Sequence, residues 1–167
     1  MRNDFFTSDH HFGHDKLRGY CRPRFGSVEE MDELMIQRWN QVVGRNDRVY
    51  HGGDFMWFGK HVMQIARRLN GTIYMAVGNH DQVSQLLSSG AIKRAKLWYK
   101  FKDDGWVLTH IPLPVENFPR DCEWNLHGHT HLNMSPGQGK THMNICVEQT
   151  AYAPIAREEM RILCPKP

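Results

Sequence analysis

Three short apolar runs in the first half of the chain each end in a cluster of glycine, aspartate and histidine, with helical stretches between them. Phe5-Phe6-Thr7 runs into Ser8-Asp9-His10-His11-Phe12-Gly13-His14, Val49-Tyr50 into His51-Gly52-Gly53-Asp54-Phe55, and Thr72 to Val77 into Gly78-Asn79-His80-Asp81. Ser27 with Glu30 reads as a capping box. It opens a helix of about four turns in which Val28, Met31, Leu34, Met35, Trp39, Val42 and Val43 recur at helical spacing. Lys60 to Leu69 reads as a second helix, closed by Asn70-Gly71. Strand, helix, strand, helix, strand is the order of a parallel sheet flanked by helices. Such sheets collect ligands outside the carboxyl ends of their strands, where these polar clusters fall.

The second half changes character. Gln82 to Ser89 reads as a short helix, and Leu97 to Phe101 with Gly105 to Thr109 as a hairpin that delivers His110. Trp124-Asn125-Leu126 is a further strand, ending in His127-Gly128-His129-Thr130-His131. Strands are expected at Met143 to Val147 and Glu159 to Leu163, and loops at 15 to 26, 111 to 123 and 133 to 141. The chemistry of the strand ends suits metal ions. A carboxylate has two oxygens, so Asp54 behind its two glycines can bridge a pair of cations. Asp9 and His11, two apart, point the same way in an extended chain and make half a site for a borderline cation. Each cluster alone suits a polar turn equally well.

With 167 residues the chain is expected to form one domain, 1–167. A formal charge of +3 suits an anionic substrate and falls short of a nucleic-acid-coating surface. Eleven histidines are many for this length, and histidine is the commonest metal ligand. Cys21, Cys122, Cys146 and Cys164 form neither a CxxC pair nor a zinc-ribbon spacing, and read as small buried hydrophobes. Met1-Arg2-Asn3-Asp4 leads straight into a strand, and no apolar run is long enough to span a membrane. A cytoplasmic protein is expected.

In order, the strand ends read D-x-H (Asp9, His11), G-D (Gly53, Asp54), G-N-H-D (Gly78 to Asp81), H (His110) and G-H-x-H (Gly128, His129, His131). The ordered set, over roughly residues 5 to 150, resembles the calcineurin-like metallophosphoesterases, in particular their compact bacterial and phage-encoded members. The resemblance implies an α/β fold, a four-layer αββα sandwich with two mixed β-sheets. It implies a dinuclear site, with Asp9, His11 and His131 on one ion, Asn79, His110 and His129 on the other, and Asp54 between. Manganese is the first choice, with iron, nickel, zinc and cobalt also compatible with such ligands. A hydroxide bridging the two ions would attack phosphorus, His80 would protonate or stabilise the leaving alkoxide, and Asp81 would orient His80.

The expected substrate is a small phosphodiester, such as a cyclic nucleotide or nucleotide fragment, because no long insertion caps the site. A phosphomonoesterase, protein phosphatase or nuclease of the same family is the alternative, nucleic acid being disfavoured by the modest charge, and a silent metal-binding scaffold the more distant one. His14, Arg22 and Arg24 are candidate substrate contacts. Phe12, Trp57 and Phe58 are candidates for an apolar wall, and His10, His51 and His127 for packing or outer hydrogen bonds.

Overall fold

A computed structural model describes residues 2–57, 60–135 and 137–166, without the side chains of residues 60–62. In chain order the elements are β1 (Asp4–Thr7), α1 (Lys16–Cys21), α2 (Val28–Val42), β2 (Arg48–His51), α3 (Lys60–Ala66), β3 (Thr72–Ala76), α4 (Val83–Ser88) and β4 (Arg94–Lys96). There follow β5 (Tyr99–Phe101), β6 (Trp106–Thr109), β7 (Trp124–His127), β8 (His142–Asn144), β9 (Ile155–Ala156) and α5 (Arg157–Leu163). One sheet has the order β4-β3-β2-β1-β9, parallel except for β9; the other has the order β5-β6-β7-β8, parallel except for β5.

The two-residue side-chain period of the strands builds the layers. In the first sheet Phe5, Val49, Ile73 and Met75 face the helices and pack with Met31, Met35, Trp39, Ile65 and Leu86. Phe6, Tyr50, Tyr74 and Ala76 face the second sheet and meet Tyr99, Phe101, Trp106, Leu108, Trp124 and Leu126. Phe6 and Tyr50 both set their rings edge-on to Phe101, at centroid distances of 5.1 and 4.8 Å. Trp39, fully buried, also donates its indole N–H to the Asn70 carbonyl, tying α2 to the start of β3. Truncating so large a core side chain costs about 3–5 kcal/mol.

The fold is the expected αββα sandwich of two mixed sheets, with a thin fourth layer. The outer face of the second sheet is covered by the loop after His110, where Asn125 accepts from the Leu113 amide and donates to Thr109. A charge network of two buried carboxylates and three partly exposed arginines ties the two halves together: Asp4 binds Arg48 and Arg157, while Asp104 binds Arg157 and Arg161. Among the described residues no helix is long and apolar enough to cross a membrane.

Several local expectations fail. Lys16–Cys21 is a helix where a loop was expected, and Arg94–Lys96 adds a fourth parallel strand. The strand expected at Glu159 to Leu163 is helix α5, since Glu158 and Glu159 suit a helix start and Met160 and Cys164, one turn apart, both enter the core. The Ser27 cap does hold, its hydroxyl accepting from the Glu30 amide.

Candidate metal centre

Every strand-end residue assigned to a metal arrives at one place, the carboxyl ends of β1, β2, β3, β6 and β7. The backbone is bent hard to bring them there. Asp9, His11, Asp54, His129 and His131 have φ of +58, +49, +54, +69 and +48°, five of the eight non-glycine residues with left-handed backbone among the described residues. That conformation costs an L-residue on the order of 1–3 kcal/mol and persists where the surroundings impose it, commonly at functional sites. Two glycines make room. A Cβ on Gly128 would lie 2.1 Å from Asp9 Oδ2, and one on Gly78 2.2 Å from Asp54 Oδ1.

Each carboxylate is anchored through one oxygen and turned inward through the other. Asp9 Oδ2 accepts from the Ser8 hydroxyl, from the His129 amide at 2.9 Å and from the Cys146 thiol at 3.3 Å. Asp9 Oδ1 is left 3.8 Å from His11 Nε2 and 3.7 Å from His131 Nε2. Asp54 Oδ1 accepts from the His80 amide at 2.9 Å, while Oδ2 lies 3.4 Å from both His11 Nε2 and His110 Nε2.

The imidazoles follow the same plan. His110 Nδ1 donates to the Gly52 carbonyl and His131 Nδ1 to Glu148 Oε1, both at 2.9 Å. Those bonds fix a ring proton on Nδ1 and direct Nε2 into the site. His110 Nε2 then faces Asn79 Oδ1 at 2.9 Å and His129 Nδ1 at 3.2 Å.

These residues fit divalent cations. Ligand atoms 2.0–2.2 Å from a shared ion lie roughly 3–3.5 Å apart; the separations here run from 2.9 to 3.8 Å, widest around Asp9 Oδ1. Asp9 Oδ1 and His11 Nε2 are buried and lack any hydrogen-bond partner, as atoms held for a cation would be. Asp9, His11 and His131 form one ligand group, and Asp9, Asp54 and His110 another. Asp54, facing His11 on one side and His110 on the other, stands between the two sets expected from the sequence.

The electrostatics agree. Burial holds His11 neutral, with its pKa pushed down to about 2, helped by the charges of His131 and Arg22. Burial also raises the Asp9 carboxyl against the pull of His110 and His131, so its anion lacks full compensation from the protein. Burial alone would lower His131, but the hydrogen bonds with Cys21 and Glu148 and the charges of Glu148 and Asp9 outweigh it and raise its pKa to about 10. A proton thus occupies a position suited to a metal cation.

Three expected roles change, those of Arg22, Arg24 and Asp81. Arg22 is wholly buried, with its guanidinium on Glu148 and on the carbonyls of Asp9 and His10, so no substrate reaches it. Arg24 stacks over Phe25 and Tyr152, at 4.7 and 4.9 Å from their centroids. Asp81 does not orient the His80 ring: its carboxylate accepts from the amides of Asp54, Phe55 and Gly78. Burial raises its carboxyl in spite of those three amides. His127 spends Nδ1 on its neighbour's carbonyl and reaches no ligand ring. His51 takes the Gly53 amide on Nδ1 and pairs through Nε2 with His10, 2.9 Å away in the core.

His14 stacks on Trp57 at 4.3 Å beside His80. Phe12 is core, and Phe58 lies outside the described residues. The sequence reading missed Ser8, Cys146 and Glu148. Ser8, next to Asp9, carried a weak signal; Cys146 and Glu148, beside no expected ligand in the chain, carried none.

No family model matches this chain. It is 30% identical to the uncharacterized protein MJ1445 of Methanocaldococcus jannaschii, over 93% of this chain and 88% of that one. It is 28% identical to the gene 66 protein of Mycobacterium phage L5, over 80% of each chain. Among solved structures, a protein of unknown function from Aquifex aeolicus, AQ665, shares the fold: 98% of this chain and all of that one superpose with a TM-score of 0.76 at 23% identity.

Proposed function

The chain belongs to the family of the uncharacterized Methanocaldococcus jannaschii protein MJ1445, a kinship that brings no chemistry with it, and we propose from the site itself that this protein hydrolyses phosphoester bonds. Its substrate is a small phosphodiester, such as a cyclic nucleotide or nucleotide fragment. The observation that carries the reading is the plan shared by Asp9, Asp54, His110 and His131: one atom of each is anchored in the protein and the other is turned inward, 2.9 to 3.8 Å from neighbouring ligand atoms. Asp9, His11 and His131 would hold one ion and Asn79, His110 and His129 the other, with Asp54 shared. Two divalent cations there would supply Lewis-acid activation of water and neutralise charge on the phosphoryl group.

The remaining chemistry falls to the side chains around that point. His80 is exposed at the rim, its amide on Asp54 and its ring 5.4 Å from that of His11. It is free to give a proton to a departing alkoxide. A cleft of about 530 Å³ lined by Trp57, Asn79, His80, Asp81 and Gln82 opens beside it. Trp57, backed by His14 and 45% exposed, offers that cleft a flat apolar wall suited to a base or aryl group. The test is hydrolysis of bis(p-nitrophenyl) phosphate and p-nitrophenyl phosphate with manganese, iron, nickel, zinc or cobalt, with and without chelator. Chelator-sensitive turnover, faster on the diester, is expected. Absence of turnover with every metal would sink the reading.

A further inference from the structure

Arg22 and Glu148 form an ion pair with side-chain exposures of 0 and 1%, its Nε–Oε1 distance 2.7 Å. A pair so deeply buried gives up its hydration and is weak evidence of stability for its own sake. Its other contacts show what it holds. Glu148 Oε1 accepts from His131 Nδ1 at 2.9 Å and from the Cys21 thiol at 3.3 Å. Arg22 donates from Nη1 to the His10 carbonyl at 2.7 Å and from Nη2 to the Asp9 carbonyl at 2.5 Å. Those carbonyls belong to the segment in which Asp9 and His11 take up left-handed backbone. One salt bridge therefore grips the loop that carries Asp9 and His11 and, from the other side, the ring of His131.

We propose that Arg22 and Glu148 are positioning residues for one ion of the centre, the one held by Asp9, His11 and His131. The proposal rests on the metal-dependent reading above and goes beyond it by assigning separate supports to the two halves. Glu148 keeps the His131 proton on Nδ1 and stops the ring from turning, so Nε2 stays directed at Asp9. Carboxylates placed behind ligating imidazoles act in this way on metals in general. Arg22 pins the bent Asp9–His10 backbone and keeps Glu148 ionised and in place. The other half uses neither residue: His110 is fixed by the Gly52 carbonyl, and the backbone of Asp54 by Asp81. Loss of the pair therefore unbalances the two ions instead of weakening them equally.

The test is calorimetric titration of the chelated protein with manganese, in the wild type, Glu148→Gln, Glu148→Asp and His131→Ala. Glu148→Asp keeps the charge that Arg22 needs and withdraws it from His131, and it carries the test if Glu148→Gln does not fold. One ion should bind about 10–100-fold more weakly, the range for losing such an outer support, while the other keeps its wild-type affinity. Glu148→Asp leaves Arg22 its carboxylate and so acts through His131 alone; adding it to His131→Ala should weaken that ion no further. A merely structural pair would shift both affinities together or neither, and its effect would add to that of His131→Ala; any of these results overturns the proposal. A wild type that takes up no manganese would instead count against the metal-dependent reading itself.

Discussion

Asp81→Asn separates two accounts of the Asn79-His80-Asp81 segment. In the structure Asp81 Oδ2 takes the Asp54 and Gly78 amides at 2.9 and 2.8 Å, and Oδ1 takes the Phe55 amide at 2.9 Å. An asparagine has one accepting oxygen. Its best orientation keeps that oxygen on Asp54 and Gly78 and turns its NH₂ toward the Phe55 amide, donor against donor. Phe55 is fully buried, so its N–H cannot recover the bond from solvent, and a buried donor left unpaired costs about 1–3 kcal/mol. For a chain of this size that is roughly 2–12 °C in Tm, at 2–4 °C per kcal/mol. The assay is thermal unfolding of chelated protein, so that metal binding does not contribute. An Asp81 that served only to orient the His80 ring would leave this Tm unchanged. A chelated variant melting with the wild type would therefore refute the bracing role.

Two further outcomes follow from the same contacts. His80→Ala should bind manganese as the wild type does, lose most turnover on esters with alkoxide leaving groups, and keep far more on p-nitrophenolate esters, whose leaving group needs little protonation; equal losses on both would remove His80 as the proton donor. Burial would raise the Asp104 carboxyl, but hydrogen bonds and charges from Arg157 and Arg161 outweigh it and hold it below its ordinary 3.8. Asp104 therefore binds its proton more readily unfolded than folded, so its stabilising contribution is complete above about pH 4 and is lost as pH falls through the folded value. Melting of chelated wild type should decline across that acid range more steeply than that of Asp104→Asn, and parallel slopes would contradict the assignment.

The ligand positions were legible in the sequence because strand ends are. Thr72 to Val77 is apolar and of strand length, and its break at Gly78 places Asn79 without further information. The supporting contacts were not legible, because they join residues far apart in the chain: Arg22 lies 126 positions from Glu148, and Cys146 lies 137 from Asp9. Arg22 reads in the sequence as a substrate contact, since a loop arginine beside a proline carries no sign of burial. Only the carbonyls of Asp9 and His10 and the Glu148 carboxylate explain why it turns inward. A strand is expected at Glu159 to Leu163, and helix α5 stands there with Met160 and Cys164 buried. Ile162 is in fact 81% exposed, and the pair that enters the core is one helical turn apart.

The proposed centre sets Asp54 between two ions. Its Oδ2 lies 3.4 Å from a nitrogen of each set, His11 on one side and His110 on the other. The direct measurement is a manganese titration of Asp54→Asn beside His131→Ala and His110→Ala. Asp54→Asn should weaken both ions together, and each histidine variant mainly its own. An Asp54→Asn protein that loses one ion and holds the other with wild-type affinity would contradict this arrangement.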